Sequence, residues 1–169
     1  MSFAKITICL WFDTQAEDAA NFYVSIFPNS KILSIQHYTS VGQEFHKKEP
    51  GSVMVVNFIL NNHPFIAFNG GADYFRSGAS SFMIHCDDQE EVDHYWDKLS
   101  PGGDETKQVC GWLADKWGVG WNVVPNGLEE MMKDKDPEKV KRVTAAMMAM
   151  KKLDIEGLQK AFEGSAEDE

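Results

Sequence analysis

The chain has 169 residues, of which 43% are hydrophobic and 25% are charged, a balance typical of a folded globular protein rather than a disordered one. Its net charge of -10 disfavours nucleic acid and anionic membranes as partners, because both require a concentrated basic surface. No apolar run reaches the roughly 20 residues of a membrane span, and the first residues lack a signal-peptide pattern. The three widely spaced cysteines (Cys9, Cys86 and Cys110) indicate reduced thiols, so we expect a cytoplasmic protein.

The first half of the chain begins with a predicted strand at Thr7–Asp13, whose apolar and polar positions alternate. A helix follows, because Thr14 and Glu17 have the spacing of an N-cap with Glu three places on, and Pro28 closes it. Three further strands are predicted at residues 32–38, 52–60 and 64–69, with a tight Asn61-Asn62 turn between the last two. The polar segment 41–50 is predicted to be a loop.

The second half repeats this order at an offset of 74 residues, since Ser81–Asp87 matches Thr7–Asp13. Asp88 and Glu91 predict the next helix start, and Pro101 follows its end. The later strands are weaker, at residues 108–113 and 118–124, with a short strand near Glu105. Two β-α-β-β-β modules in one chain predict an α+β fold.

The pattern changes to helices after Pro125. Residues 128–132 predict a short helical turn, Asp136-Pro137 predicts a helix start, and Asp154 can cap a last helix. The tail at residues 164–169 is predicted to fray. We therefore expect a single domain over residues 1–169, with module one at about 5–71, module two at about 79–125 and a C-terminal helical segment at 127–163.

Strand alternation places one set of side chains on the face away from the helices. In the first strands these are Thr7, Cys9 and Trp11, and then Ser81, Met83 and His85. The last strands of the two modules align at Phe68-Asn69 and Trp121-Asn122. This alignment predicts that Ala67 and Asn69 in module one, and Gly120 and Asn122 in module two, share the same face. A mixed surface of this kind is typical of a small-molecule pocket. The alternative is that this face packs on a neighbouring copy or on the C-terminal helices.

These motifs resemble the PhnB-like group of the vicinal-oxygen-chelate (glyoxalase and bleomycin-resistance) superfamily, whose domains are also labelled 3-demethylubiquinone 3-methyltransferase-like. The stretches that carry the resemblance are LWFDTQAEDAANFYVSIFPNSKI, PFIAFNGG, DDQEEVDHYWDKL, CGWLADKWGVGWNVVPNGL and MMAMKKLDIEGL. The resemblance implies two modules whose curved mixed sheets enclose a cleft, and a homodimer.

The resemblance also raises the question of a metal, because metal-binding members of the superfamily carry His in the first strand and Glu in the last strand of each module. The corresponding positions here hold Thr7, Asn69, Ser81 and Asn122, which are poor ligands for a hard divalent cation. We therefore predict no metal ligands and no cofactor, while a divalent metal held by unusual ligands stays open. A cofactor-binding α/β methyltransferase needs a glycine-rich turn between a strand and a helix, and the sequence does not show this pattern. The methyltransferase label therefore gains no support from the residues.

Three functions stay open from the sequence. The first is a metal-independent small-molecule-binding protein, whose predicted ligand-binding residues are Thr7, Trp11, Asn69, Ser81, Met83, Trp112 and Asn122. The second is a lyase, isomerase or transferase acting through His85 or Cys110, although a hydrogen-bonded wall residue and a buried thiol are the simpler interpretations of these two. The third is a dimeric interaction module whose mixed face is the contact surface.

Overall fold

A computed structural model of the protein describes residues 7–72 and 80–164. The chain divides into two compact units, Met1–Arg76 and Ser77–Glu169, and each contains one sheet. The fold class is α+β, with two βαβββ-like mixed sheets and C-terminal helices, as the sequence predicts. Among the helices of the described residues, none combines the length and apolar character that a membrane crossing requires.

The first unit is a four-stranded sheet with the strand order β1-β4-β3-β2. Strand β1 pairs in parallel with β4, and the other two pairings are antiparallel. The predicted turn between β3 and β4 is confirmed, because Asn61 and Asn62 both have positive φ, at 45° and 65°, as a type I′ hairpin requires. The predicted loop at 41–50 contains one short helix. The elements are β1 (Ile8–Phe12), α1 (Ala16–Ile26), β2 (Lys31–His37), α2 (Gln43–His46), β3 (Val53–Leu60) and β4 (His63–Asn69).

Helix α1 covers one face of this sheet. Its small residues Ala16, Ala19 and Ala20 are fully buried, and they let the helix approach the strands closely. The same face of the sheet contributes the buried apolar side chains of three strands, and this packing is the main stabilising term of the unit. These side chains are Leu10, Phe12, Val56, Phe58, Phe65 and Ala67.

The second unit is a three-stranded sheet with the order β5-β7-β6, in which β5 and β7 are parallel. The predicted cap of α3 is confirmed: Asp88 accepts a hydrogen bond from the Glu91 N–H at 2.9 Å. The short strand predicted near Glu105 is wrong, because residues 105–107 form a 3-10 turn closed by the Asp104 side chain. The elements are β5 (Phe82–Cys86), α3 (Gln89–Leu99), β6 (Trp112–Ala114) and β7 (Gly120–Pro125).

A buried carboxylate holds the turn between β6 and β7. Asp115 is 2% exposed and accepts hydrogen bonds from the backbone N–H groups of Trp117 and Val119 and from the indole N–H of Trp121, at 2.9–3.0 Å. A buried carboxylate is tolerated only when it is hydrogen-bonded, and here three donors surround it. The turn therefore depends on Asp115.

The C-terminal helices are α4 (Gly127–Met132), α5 (Pro137–Ala149) and α6 (Ile155–Glu163). Both predicted caps are confirmed, since Asp136 accepts from the Glu138 N–H and Asp154 from the Glu156 N–H. The helices pack around an apolar cluster of four buried side chains, Leu128, Val143, Leu153 and Leu158. Of the tail predicted to fray, residues 165–169 lie outside the described residues.

Candidate functional site

The strand register decides which side chains share the open face of the first sheet, the face away from α1. In the parallel β1–β4 pair, Ala67 lies beside Leu10 and Asn69 lies beside Phe12, and neighbours in register point to the same side. The predicted faces of β4 are therefore wrong: Ala67 and Asn69 face α1. Ile66 and Phe68 occupy the open face instead, beside Cys9 and Trp11.

Asn69 has a structural role on the α1 side. Its side chain is 4% exposed; its Oδ1 accepts a hydrogen bond from the Ala16 N–H at 2.8 Å, and its Nδ2 donates to the Val53 carbonyl at 3.0 Å. The predicted cap of α1 by Thr14 is wrong, because Asn69 supplies this cap from another strand. Tyr38 donates to the Asn69 carbonyl at 2.6 Å, and burial raises the pKa of this phenol.

The two modules correspond differently from the alignment that the sequence suggested. Cys9 pairs with Ile66, and Met83, the counterpart of Cys9 at an offset of 74, pairs with Asn122. The counterpart of Asn122 is therefore Ile66, and that of Asn69 is Pro125. The amides of Asn69 and Asn122 hold different positions in their sheets.

Two contacts hold Trp11 on the open face of the first sheet. Thr7, another predicted ligand-binding residue, lies one residue before the same strand. The Trp11 indole N–H donates to the Gly71 carbonyl at 2.9 Å, and its ring meets Phe68 edge-on with the centroids 4.8 Å apart. A Cβ added at Gly70 would lie 2.0 Å from Cζ2 of the indole. Glycine at this position is therefore what gives the ring its space.

The open face of the second sheet brings three predicted ligand-binding residues into one row. Asn122 in β7 pairs with Met83 in β5 and with Trp112 in β6, so the three side chains are neighbours on one face. Met83 is 54% exposed and Trp112 is 41% exposed, whereas Asn122 between them is only 5% exposed. The row is an amide floor between two apolar walls.

The adjacent row of this face is made of small residues. Gly120 pairs with Ala114 in β6, and a Cβ added at Gly120 would lie 3.4 Å from the Ser81 Cβ. Ser81 comes directly before β5, at the end of the row. With no side chain at Gly120, the sheet leaves space next to Asn122.

The Asn122 side-chain oxygen differs from that of Asn69, which accepts a hydrogen bond from the Ala16 N–H. Asn122 Oδ1 is buried and has no hydrogen-bond partner in the described part of the chain. Leaving a buried polar atom unsatisfied costs about 1–3 kcal/mol.

The two predicted catalytic residues do not form a nucleophile–base pair. His85 is exposed on the open face, two residues along β5 from Met83. Cys110 was predicted to lie in a strand, but it begins the two-residue turn before β6, with φ of 52°, followed by Gly111 at 82°. No hydrogen bond among the described residues joins these two side chains.

Another thiol of the second unit is poorly suited to chemistry. Cys86 lies on the helix face of β5 and is fully buried. Its burial, and the carboxylates of Glu91, Asp87 and Asp88, raise its pKa to about 12. The thiolate is the nucleophilic form, so this residue is a packing residue.

Residues 7–72 and 80–164 contain no group of three or more His, Cys, Asp or Glu side chains that could hold a metal ion.

The sequence did not predict one contact near the site. The segment Met150–Asp154 lies against the Cys110-Gly111 turn through two backbone hydrogen bonds. No local pattern marks this contact, since it joins segments 40 residues apart.

Comparison with known proteins places these features in a family. A sequence profile described as 3-demethylubiquinone-9 3-methyltransferase matches residues 4–124, so the MMAMKKLDIEGL stretch lies outside the match. A putative 3-demethylubiquinone-9 3-methyltransferase, PhnB protein, from Bacillus cereus is 31% identical, with 72% of this chain and 99% of that chain covered and a TM-score of 0.62.

Two more distant solved structures are also similar to this chain. Protein PA1353 from Pseudomonas aeruginosa is 18% identical, with a TM-score of 0.54 over 73% of this chain and 98% of its own. The fosfomycin resistance protein FosX from Listeria monocytogenes is 16% identical, with a TM-score of 0.49 over 79% and 100%. No curated protein matches the sequence. The chain belongs to the PhnB-like family described as 3-demethylubiquinone-9 3-methyltransferase.

Proposed function

We propose that the chain binds a small organic molecule on the open face of the second sheet, with Asn122 as the polar contact and Met83 and Trp112 as apolar walls. The observation that carries this proposal is the buried Asn122 oxygen, which has no hydrogen-bond partner among residues 7–72 and 80–164. Folding alone would favour an apolar residue at this position, because the orphan amide lowers stability. A ligand that supplies a donor removes that cost.

The lining of the face limits the chemistry of the ligand. An N–H or O–H group satisfies the Asn122 oxygen, and an apolar body contacts the thioether and the indole, which suit polarisable or planar groups. The acidic chain, with a net charge of -10, favours a neutral or cationic molecule over an anion. The ligand class is therefore a small, largely apolar molecule that carries a hydrogen-bond donor.

The wider proposal is metal-independent binding by a cytoplasmic homodimer that sequesters its ligand. The positions that the sequence aligns with the His and Glu ligands of metal-binding relatives hold Thr7, Asn69, Ser81 and Asn122, none of which is a carboxylate or an imidazole. Native mass spectrometry of the purified protein reports subunit number, metal and co-purified ligand together. Tight stoichiometric binding of Ni, Mn, Zn or Fe in a titration contradicts the metal-free part.

The decisive experiment compares the two buried asparagines. Asn122→Val is expected to raise the free energy of unfolding by about 1–2 kcal/mol, because it removes an orphan polar group, and to abolish ligand binding. The same substitution at Asn69 breaks two hydrogen bonds and lowers stability. Urea denaturation and native mass spectrometry measure both properties. An Asn122→Val variant that is destabilised, or that retains the ligand, refutes the proposal.

The two other functions stay predictions with their own tests. If the chain is a lyase, isomerase or transferase acting through His85 or Cys110, replacing the responsible residue by Ala abolishes turnover of the co-purified compound. Unchanged turnover in both variants ends that proposal. If the open face is a dimer surface instead, Trp112→Ala shifts the subunit number and leaves no ligand to be found.

A further inference from the structure

We infer that the segment Met150–Asp154, here called the C-terminal strap, covers Asn122 and has to open before a ligand can reach the Asn122 oxygen. This inference rests on the proposed function, since it describes how access to the same site is regulated. The strap lies beyond residues 4–124, which the family profile matches, so it is an addition to the matched part of the chain.

The strap is bound to the turn that begins β6. The Cys110 N–H donates to the Met150 carbonyl and the Gly111 N–H donates to the Lys151 carbonyl, both at 2.8 Å. The Gly111 carbonyl in turn accepts from the Val123 N–H at 2.8 Å. The turn thus connects the strap directly to β7, the strand that carries Asn122.

The strap and Asn122 approach each other at Gly111. A Cβ added there would lie 3.1 Å from Asn122 Oδ1 and 3.1 Å from Leu153 Cδ1. Gly111 also has a φ of 82°, which side chains disfavour, so glycine is required for both reasons. Leu153 is fully buried, and its Cδ1 and the Asn122 oxygen both border the position of the added Cβ. On this inference, Leu153 shields the oxygen from solvent.

A polar latch holds the strap to α3. Lys152 Nζ lies 2.8 Å from an Asp93 oxygen and 3.3 Å from an Asp97 oxygen. The Gln89 side chain donates to the Leu153 carbonyl and accepts from the Ile155 N–H. Because Lys152 is about one third exposed, its ion pairs are only moderately strong, and their loss changes an opening equilibrium by about fivefold.

Amide hydrogen exchange tests the strap without any ligand. In Lys152→Ala, the backbone N–H groups of Cys110 and Gly111 are expected to exchange about fivefold faster, because their acceptors lie on the strap. The side-chain amide of Asn122 is expected to exchange with water faster by the same factor. The matched control is Lys160→Ala, which removes an exposed ion pair to Glu156 in the same unit and leaves all three rates unchanged.

Each other result overturns the inference. Unchanged rates at Cys110 and Gly111 mean that the latch does not control the strap, and an unchanged Asn122 side chain means that the strap does not cover it. Equal acceleration of the β5–β7 ladder amides means that Lys152→Ala loosens the whole unit. The exchange rates are measured without a ligand, so they test the strap independently of the proposed function. If the rates change as expected but the protein is found to bind no ligand, only the proposed function is wrong.

Discussion

Gly70→Ala tests whether the structure explains the glycine that follows β4. The added methyl carbon would lie 2.0, 2.3 and 2.4 Å from three indole atoms of Trp11, whereas carbon atoms in contact are normally about 3.5–4.0 Å apart. To restore a normal contact distance, the ring has to move by about 1 Å or more. This movement breaks its 2.9 Å hydrogen bond to the Gly71 carbonyl. Gly70 does not have positive φ, so the cost is steric and not conformational.

The expected loss combines three contributions. Overpacking costs about 1–3 kcal/mol, the lost hydrogen bond costs about 0.5–1.5 kcal/mol, and the reduced entropy of the unfolded chain returns about 0.4–1 kcal/mol. We expect the free energy of unfolding of the first unit to fall by about 2 kcal/mol in urea denaturation followed by circular dichroism. The indole N–H resonance of Trp11 should shift.

Two controls make this result interpretable. Gly127→Ala adds a methyl group where no atom lies within 4 Å, so it is expected to leave stability unchanged or to raise it by up to about 1 kcal/mol. In a Trp11→Phe background the clash is relieved, and Gly70→Ala should cost much less. An equal cost in both backgrounds would refute the steric explanation.

The remaining predictions concern buried polar groups and the latch. Asp115→Ala leaves three donors unpaired and is expected to lower the free energy of unfolding by about 3–5 kcal/mol, with a smaller loss for Asp115→Asn, both measured in urea. Asn69→Ala removes the α1 cap and costs about 2 kcal/mol in the same assay. Cys86, with a pKa raised to about 12, is expected to resist iodoacetamide at pH 8 until the protein is unfolded; rapid alkylation of the folded protein contradicts this. The hydrogen bond from Lys152 lowers the pKa of Asp93. The stabilisation of the folded state by this pair is therefore present above the unfolded pKa of about 3.9 and is lost as pH falls through the lowered folded value. The difference in unfolding free energy between wild type and Lys152→Ala should shrink below about pH 4.

The sequence predicted what is locally encoded. The caps Asp88, Asp136 and Asp154 are each followed at once by the helix that they begin, and the Asn61-Asn62 turn needs only its own two residues. The alternation in β1 and β5 was interpreted correctly because large and polar side chains differ clearly between their two faces. Local chemistry determines these features, so local patterns show them.

The failures arise where a distant partner decides. Thr14 has the right type and spacing for a cap, but Asn69 reaches the first turn of α1 from 53 residues away. In β4 both faces carry large apolar side chains, so only the pairing with β1 shows which face packs under the helix. The strand predicted through Cys110 stops at a turn, because Gly111 allows the reversal and Cys110 adopts a conformation that is uncommon for its type.

Asn69 and Asn122 show why position in the sheet matters more than residue type for the function of this chain. Both follow a large aromatic residue in the last strand of a module, and both are at least 95% buried. The ladder turns Asn69 toward α1, where both ends of its amide are hydrogen-bonded, and turns Asn122 to the open face, where no donor from the described residues reaches its oxygen. Selection for stability accounts for the first amide but disfavours the second. On the proposed function, a ligand contact accounts for the Asn122 oxygen beneath the inferred strap, and the opposite stability changes expected for the two Asn→Val variants follow directly from this difference.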